Sequence, residues 1–184
     1  NFLAAEPDAT VACIAVEICS AAFYLDDDPG VLISACLFGD GAAASVWRAV
    51  PGPSALRCFD FNTLHLPAEL DKLRFEQRNG KLRNLLDRSV PALAARAVAQ
   101  LWEQRGPRPV SRVITHTGGR DVLDALEPVV APFSLAASRT VLRDFGNMSS
   151  PSVLFALDET LRTQVPGDGG YFGLVSFGAS VSAH

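Results

Sequence analysis

Lysine is almost missing from this 184-residue chain: Lys72 and Lys81 are the only two among its 16 basic residues. No basic run stands out and the formal net charge is −4, so the electrostatic footprint of a nucleic-acid binder is absent. Long apolar runs are lacking too. Val11–Val16 is closed by Glu17, far short of the ~20 residues a membrane span needs. The first residues, Asn1 to Glu6, carry no basic stretch, which argues against a signal peptide. The four cysteines, Cys13, Cys19, Cys36 and Cys58, contain no C-x-x-C pair, and their apolar, strand-like context predicts buried thiols in a reducing compartment. The three histidines are isolated from one another, so no metal-ligand spacing is visible, and neither a G-x-S-x-G elbow nor a Walker A loop occurs. A soluble cytoplasmic protein that binds neither nucleic acid nor membrane is expected.

What is present is core-forming material, 48% hydrophobic against 20% charged, arranged as alternating strands and helices. Val11–Ile18 reads as a nearly continuous apolar strand of the kind buried on both faces. Asp26-Asp27-Asp28-Pro29 is an acidic cap with proline in a first helical position, opening a helix through Leu37. Strands are predicted at Ala42–Val50 and, after Pro51-Gly52-Pro53, at Leu56–Leu64. Asn79-Gly80 suits the two positive φ values of a type I′ hairpin between Arg78 and Lys81. Ser89 should cap a helix through Gln104, with Pro91 in its first turn and Leu93, Ala97 and Leu101 on one face. A strand at Ser111–Thr115, helices at Arg120–Leu126, Ser138–Phe145 and Pro151–Gln164, a loop at Pro166–Gly169 and a closing strand at Tyr171–Phe177 complete a single α/β unit over residues 1–184.

Three stretches put polar groups and glycines where strands or helices end. Leu37–Ala44 (LFGDGAAA) works as a tight turn followed by alanines that permit close helix–sheet packing. In Thr115-His116-Thr117-Gly118-Gly119-Arg120, His116 follows an apolar strand and precedes a helix start, where open α/β sheets place ligands. A lone histidine is also often a satisfied structural residue; by position His116 is the best catalytic candidate. In Gly146-Asn147-Met148-Ser149-Ser150, either serine can cap the helix that follows, with Pro151 at its first position.

Taken together and in this order, LFGDGAAA, Ile114–Gly119 (ITHTGG) and Gly146–Ser150 (GNMSS), followed by Val153-Leu154-Phe155-Ala156-Leu157-Asp158-Glu159, resemble the C-terminal half of the type III polyketide synthases, the chalcone and stilbene synthase family. Val16-Glu17-Ile18-Cys19 resembles the strand carrying that family's buried glutamate. The similarity runs over the whole chain and is weakest over Pro51–Arg88.

The resemblance implies an α/β, thiolase-like fold of which this chain is the C-terminal half, a mixed sheet covered by helices, in a homodimer. It implies His116 and Asn147 as the catalytic pair, Phe38 as a gatekeeper phenylalanine, and Ser149, Cys19 and Ala22 as residues shaping the pocket. Acyl-CoA and malonyl-CoA would be substrates, with no cofactor beyond coenzyme A thioesters. The chemistry is decarboxylation of malonyl-CoA and attack of the enolate on an acyl group held by a cysteine. Two fixed N–H donors in a dry pocket stabilise such an oxyanion, and removing one costs ~10²–10³ in rate. The family's cysteine lies upstream of the strand at Val11, so the chain is expected to begin after it, and none of its four cysteines takes that place. The partner would be the N-terminal half of the same fold. The second gatekeeper's place falls near Asn84, and the family's glycine-proline loop reads here as Ser176–Ser180 without proline. Two alternatives follow from the same residues: a non-catalytic thiolase-like domain for acyl-CoA binding or dimerisation, and a fatty-acid-type β-ketoacyl synthase.

Overall fold

The computed structural model describes residues 2–24, 26–50, 52, 56–163, 170–178 and 182–184. After a one-turn helix α1 (Phe2–Ala5), strand β1 (Thr10–Glu17) pairs antiparallel with β2 (Gly41–Arg48), and helix α2 (Pro29–Leu37) lies between them in sequence. Asp28 caps α2 as the sequence predicts, accepting from the backbone N–H groups of Gly30 and Val31. Its other carboxylate oxygen pairs with Arg83, on the hairpin of β4 (Leu73–Arg78) and β5 (Lys81–Leu86). That hairpin turns at Asn79 and Gly80, with φ of 52° and 75°, the two left-handed residues a type I′ turn requires.

The core is built around β6 (Val110–Thr115), which pairs parallel with β7 (Tyr171–Val175). A strand that is apolar on both faces needs a layer on each, and β6 has both. Val113 joins Val175 in a cluster with Ala94 and Val98 of α3 (Val90–Glu103) and with Val122, Leu123 and Leu126 of α4 (Arg120–Leu126). On the opposite face Ile114 meets Val141 of α5 (Ala136–Phe145), Met148, and Ala156 of α6 (Ser152–Thr163). Ile114, Leu123, Leu126 and Leu135 are fully buried, each contributing about 1.5–3 kcal/mol by removal from water. The last strands, β8 (Phe177–Gly178) and β9 (Ser182–Ala183), form a small sheet with β3 (Leu64–His65).

Several expectations need correction. The segment at Leu56–Leu64 is not a strand: only Leu64 and His65 enter a ladder. It is fixed by side chains instead, with Arg108 on the carboxylate of Asp60 and over the ring of Phe59, which packs edge-on against Tyr171. β1 is not buried on both faces; Ile14 and Val16 are 71% and 57% exposed, because among the described residues β2 is its only partner strand and no layer buries them. For the same reason Cys13 is exposed, as are Cys36 and Cys58, with Cys19 half-buried, so the thiols are not core residues. Ser89 makes no side-chain cap to α3; its N–H and hydroxyl both go to Asp87. The predicted loop at Pro166–Gly169 lies outside the described residues, as do Pro51 and Pro53 of the preceding turn and Ala179 and Ser180 of the closing loop. No described helix is long and apolar enough to cross a membrane.

Candidate active site

His116 leaves the end of β6, and its N–H bonds to the carbonyl of Val175 at 2.9 Å, extending the parallel ladder by one residue. The strand end beneath it is pinned by α5. The buried hydroxyl of Ser138 donates to the Thr115 carbonyl at 2.9 Å and accepts from the Thr115 N–H at 3.1 Å. The imidazole is packed edge-to-face against Phe177, with centroids 5.0 Å apart. That packing leaves no room for a side chain at Gly118, where a Cβ would run into the Phe177 ring. Only 9% of His116 is exposed, and burial lowers its pKa from 6.5 to about 4. It is therefore a neutral imidazole near pH 7, with one N–H to donate and one lone pair.

Asn147 is placed by a short parallel bridge to Phe38. Its N–H donates to the carbonyl of Leu37 at 2.8 Å, and its carbonyl accepts from Gly39 N–H at 3.0 Å. The end of α2 and the loop after α5 are thereby locked together. Thr117 adds a third tie, its hydroxyl donating to the Gly146 carbonyl at 3.2 Å. The side chain is oriented as well: its Oδ1 accepts from the N–H of Ser149 at 2.9 Å. With the oxygen engaged, Nδ2 is the group left to donate, and no hydrogen bond to a described residue uses it.

His116, Asn147, Phe38 and Ser149 line one cavity of about 480 Å³, together with Ser150, Phe177 and the hairpin residues Leu73, Phe75, Asn84 and Leu86. An adjoining cavity of about 1000 Å³ shares Leu37, Leu86, Val90, Gly118 and Val122 with it and is lined also by Cys36, Arg88 and Arg120. Four of the six predicted site residues are thus brought together. Cys19 and Ala22 are not among the lining residues. They sit on the 3₁₀ turn after β1, which is tied to Asp40 through Ser20, whose N–H and hydroxyl both donate to its carboxylate. Burial, and then the carboxylates of Glu17 and Asp40, raise the Cys19 thiol above its usual pKa, which keeps it protonated and a poor nucleophile. No cysteine lines the cavity of His116 among the described residues.

Ser149 is in the left-handed region at φ 58° and contributes its N–H to Asn147 instead of capping α6. Ser150 donates its hydroxyl to Glu17 at 2.7 Å, so that glutamate is half-buried and engaged, not fully enclosed. Ser152 meets the Met148 N–H. Sequence reasoning placed the second gatekeeper near Asn84 but missed Phe177 and the rest of the hairpin as walls of the site. The alternation of Asn84 and Leu86 was the available signal for the hairpin's inward face. No group of His, Cys, Asp and Glu able to hold a metal ion occurs among the described residues.

The fold is that of the thiolase-like α/β enzymes. The family model described as "Chalcone and stilbene synthases, C-terminal domain" matches residues 70–182. The chain belongs to the chalcone and stilbene synthase family. The 3,5-dihydroxyphenylacetyl-CoA synthase of Streptomyces toyocaensis is 31% identical over 200 residues, covering 97% of this chain and 50% of the relative. The 1,3,6,8-tetrahydroxynaphthalene synthase of Streptomyces coelicolor is 30% identical over 191 residues, covering 100% and 51%. The crystal structure of that synthase, a bacterial type III polyketide synthase, superposes with a TM-score of 0.84 at 31% identity over 99% of this chain and 54% of that one. Germicidin synthase from the same species shares the fold with a TM-score of 0.87 at 24% identity, over 99% of this chain and 50% of its own. The chain spans about half the length of the curated relatives it matches.

Proposed function

We propose that this chain is the C-terminal domain of a condensing acyltransferase of the type III polyketide synthase kind, and that His116 and Asn147 stabilise the enolate formed when malonyl-CoA loses carbon dioxide. One observation carries the reading: two buried N–H donors, neutral His116 and Nδ2 of Asn147, line the same cavity, and the Asn147 amide is oriented by Ser149. When the malonyl carboxylate departs as carbon dioxide, the electron pair of the broken carbon–carbon bond passes to the thioester oxygen. The oxyanion so formed accepts hydrogen bonds from both groups. Donors fixed before the charge appears need no reorganisation, which is why such pairs contribute strongly to rate.

The enolate carbon then attacks the carbonyl of an acyl group held as a thioester on a cysteine. A carbon–carbon bond forms and the cysteine leaves as thiolate. That cysteine is not supplied by the cavity described here, and in this reading it belongs to the N-terminal half of the fold. The neutral imidazole is the base that would take its proton, pairing with the thiolate once formed. Phe38 and Ser149 border the cavity as selectors of the acyl chain. The reading uses coenzyme A thioesters as substrates with no other cofactor, in a cytoplasmic homodimer.

The test is malonyl-CoA decarboxylation by the complete polypeptide as its own cells make it. His116→Gln and Asn147→Ala should each slow carbon dioxide release about 10²–10³-fold. Full-rate release in both variants would sink the assignment. Binding of acyl-CoA without any carbon dioxide release in the native protein would favour a non-catalytic binding domain. Strict dependence on acyl carrier protein in place of free coenzyme A would point to a fatty-acid-type synthase.

A further inference from the structure

We infer that Ser176 is a third hydrogen-bond donor of the site, its hydroxyl meeting the thioester oxygen beside His116. This role rests on the condensing reading for its reaction and on the end of the β6–β7 ladder for its geometry. Thr115 pairs with Val175 in parallel register, and the His116 N–H bonds to the Val175 carbonyl. In a parallel ladder that bond makes the next residue, Ser176, the partner opposite His116. Paired residues of neighbouring strands stand about 4.8 Å apart and project their side chains to the same face. Both residues line the one cavity.

The main chain of Ser176 is fully engaged elsewhere. Its N–H donates to the His184 carbonyl at 3.1 Å, and its carbonyl accepts from the His184 N–H at 2.9 Å. The residue is thus pinned between β7 and the end of the chain that follows β9. Its side chain is half-buried, and no hydrogen bond to a described residue uses the hydroxyl. Two other serines border the cavity. Ser150 commits its hydroxyl to Glu17, and Ser149 lies on the Asn147 side, giving its N–H to that amide. No Asp or Glu among the lining residues offers the Ser176 hydroxyl an acceptor. Its acceptor arrives with what binds in the cavity.

The chemistry follows from what a hydroxyl offers. When malonyl-CoA loses carbon dioxide, the broken carbon–carbon bond leaves its electron pair on the enolate, with the charge on the thioester oxygen. A hydroxyl donates to that oxygen and keeps its own proton, whereas an ionised carboxylate at the same place could only repel it. With the main chain of Ser176 fixed beforehand, rotation of a short side chain is all that the developing charge requires. A donor on the departing carboxylate would hold the ground state instead and slow its loss. The place one strand from His116 sets the hydroxyl at the thioester end of the substrate.

The experiment measures carbon dioxide release from malonyl-CoA by the complete polypeptide, by Ser176→Ala and by Ser176→Thr, with urea unfolding of each. Without a starter the enolate carbon takes a proton from water, so acetyl-CoA is counted beside the carbon dioxide. Ser176→Ala should lower kcat about 10- to 100-fold with KM within about 3-fold of native, the split expected of a contact made in the transition state. Ser176→Thr, which keeps a hydroxyl on the strand, should retain most of the rate. An unchanged kcat in Ser176→Ala, a change in KM alone, or a folded Ser176→Thr as slow as Ser176→Ala overturns the inference. So does a loss of rate matched by a lowered urea midpoint, which would make the serine structural. No release by the native protein defeats the condensing reading and this role together, whereas native release beside a fully active Ser176→Ala defeats this role alone.

Discussion

Replacing Gly39 by alanine should cost both stability and activity, through a single backbone contact. A Cβ at this position would overlap the carbonyl oxygen of Phe145 and approach its carbonyl carbon. Carbon–oxygen contacts in proteins settle at about 3.3–3.6 Å, so the two segments must part by about 1 Å. Neither side can yield locally, because the obstacle is main chain at the end of α5 and not the tip of a flexible side chain. The parting opens the bridge between Phe38 and Asn147, where Gly39 N–H donates to the Asn147 carbonyl and Asn147 N–H to the Leu37 carbonyl. Two backbone hydrogen bonds at about 0.5–1.5 kcal/mol each, together with about 1–3 kcal/mol of overpacking, give a loss of roughly 2–6 kcal/mol. Displacing the Asn147 amide by about 1 Å should also lower decarboxylation about 10²-fold in the molecules that remain folded. Urea unfolding and carbon dioxide release from malonyl-CoA, on the complete polypeptide, measure the two effects. A variant within about 0.5 kcal/mol of native stability and fully active would show that the bridge does not position Asn147.

Acid should reveal the buried neutral state of His116. With a folded pKa of about 4 against 6.5 in the unfolded chain, the unfolded state binds the proton first as pH falls. Stability is then lost between about pH 6.5 and 4, by roughly 3 kcal/mol in full and about 2 kcal/mol at pH 5. Urea unfolding of alkylated protein, so that no thiolate faces the ring, should show this extra loss in the native chain and not in His116→Gln; equal acid sensitivity would contradict it. Ser138→Ala removes a buried hydroxyl that serves both the N–H and the carbonyl of Thr115, and should cost about 1–3 kcal/mol in the same assay; no change would mean water replaces it. Asp28→Ala removes the cap of α2 and the partner of Arg83. A loss of about 1–2 kcal/mol is expected from the cap, and a variant as stable as the native chain would refute it.

What the sequence disclosed was local chemistry, and what it concealed was tertiary. Asn79-Gly80 fixed its hairpin because two left-handed residues in a row suit little else, and Asp28-Pro29 opened α2 because cap and proline agree. The helix expected at Arg120–Leu126 has those bounds in the structure, since Gly119 before it, Pro128 after it and its apolar spacing coincide. Leu56–Leu64 misled because β-forming residues make a strand only where a ladder is offered, and here Phe59 and Asp60 were claimed by Arg108 instead. The cysteines misled in the same way: apolar neighbours along the chain do not say which layer covers a strand. In the site, His116 was legible from its place at a strand end. The orientation of Asn147 was not, because it depends on Ser149 turning its N–H back through a left-handed residue. Asn84 was legible as the place of the missing second gatekeeper, whereas its burial and the unpaired oxygen of its side chain were not.

These details bear on why His116 and Asn147 sit where they do. Each belongs to a segment whose main chain is held by a different element: His116 by β7 and, through Thr115, by α5, and Asn147 by the end of α2. Thr117 then ties the two segments directly, through the Gly146 carbonyl. Each donor's side chain is held as well, the imidazole by Phe177 and the Asn147 amide by Ser149, so the cavity between them can be walled by partly exposed apolar residues without loosening the pair. That division lets the hairpin wall vary in size and polarity while His116 and Asn147 stay fixed. It predicts that substitutions at Phe75 or Leu86 shift which acyl thioester is taken and leave the decarboxylation rate of malonyl-CoA within a few-fold of native, whereas Thr117→Val, far smaller as a change, lowers that rate by loosening the tie. Parallel measurement of starter preference and carbon dioxide release in the three variants checks the division, and a wall substitution that stops decarboxylation in a folded protein would refute it.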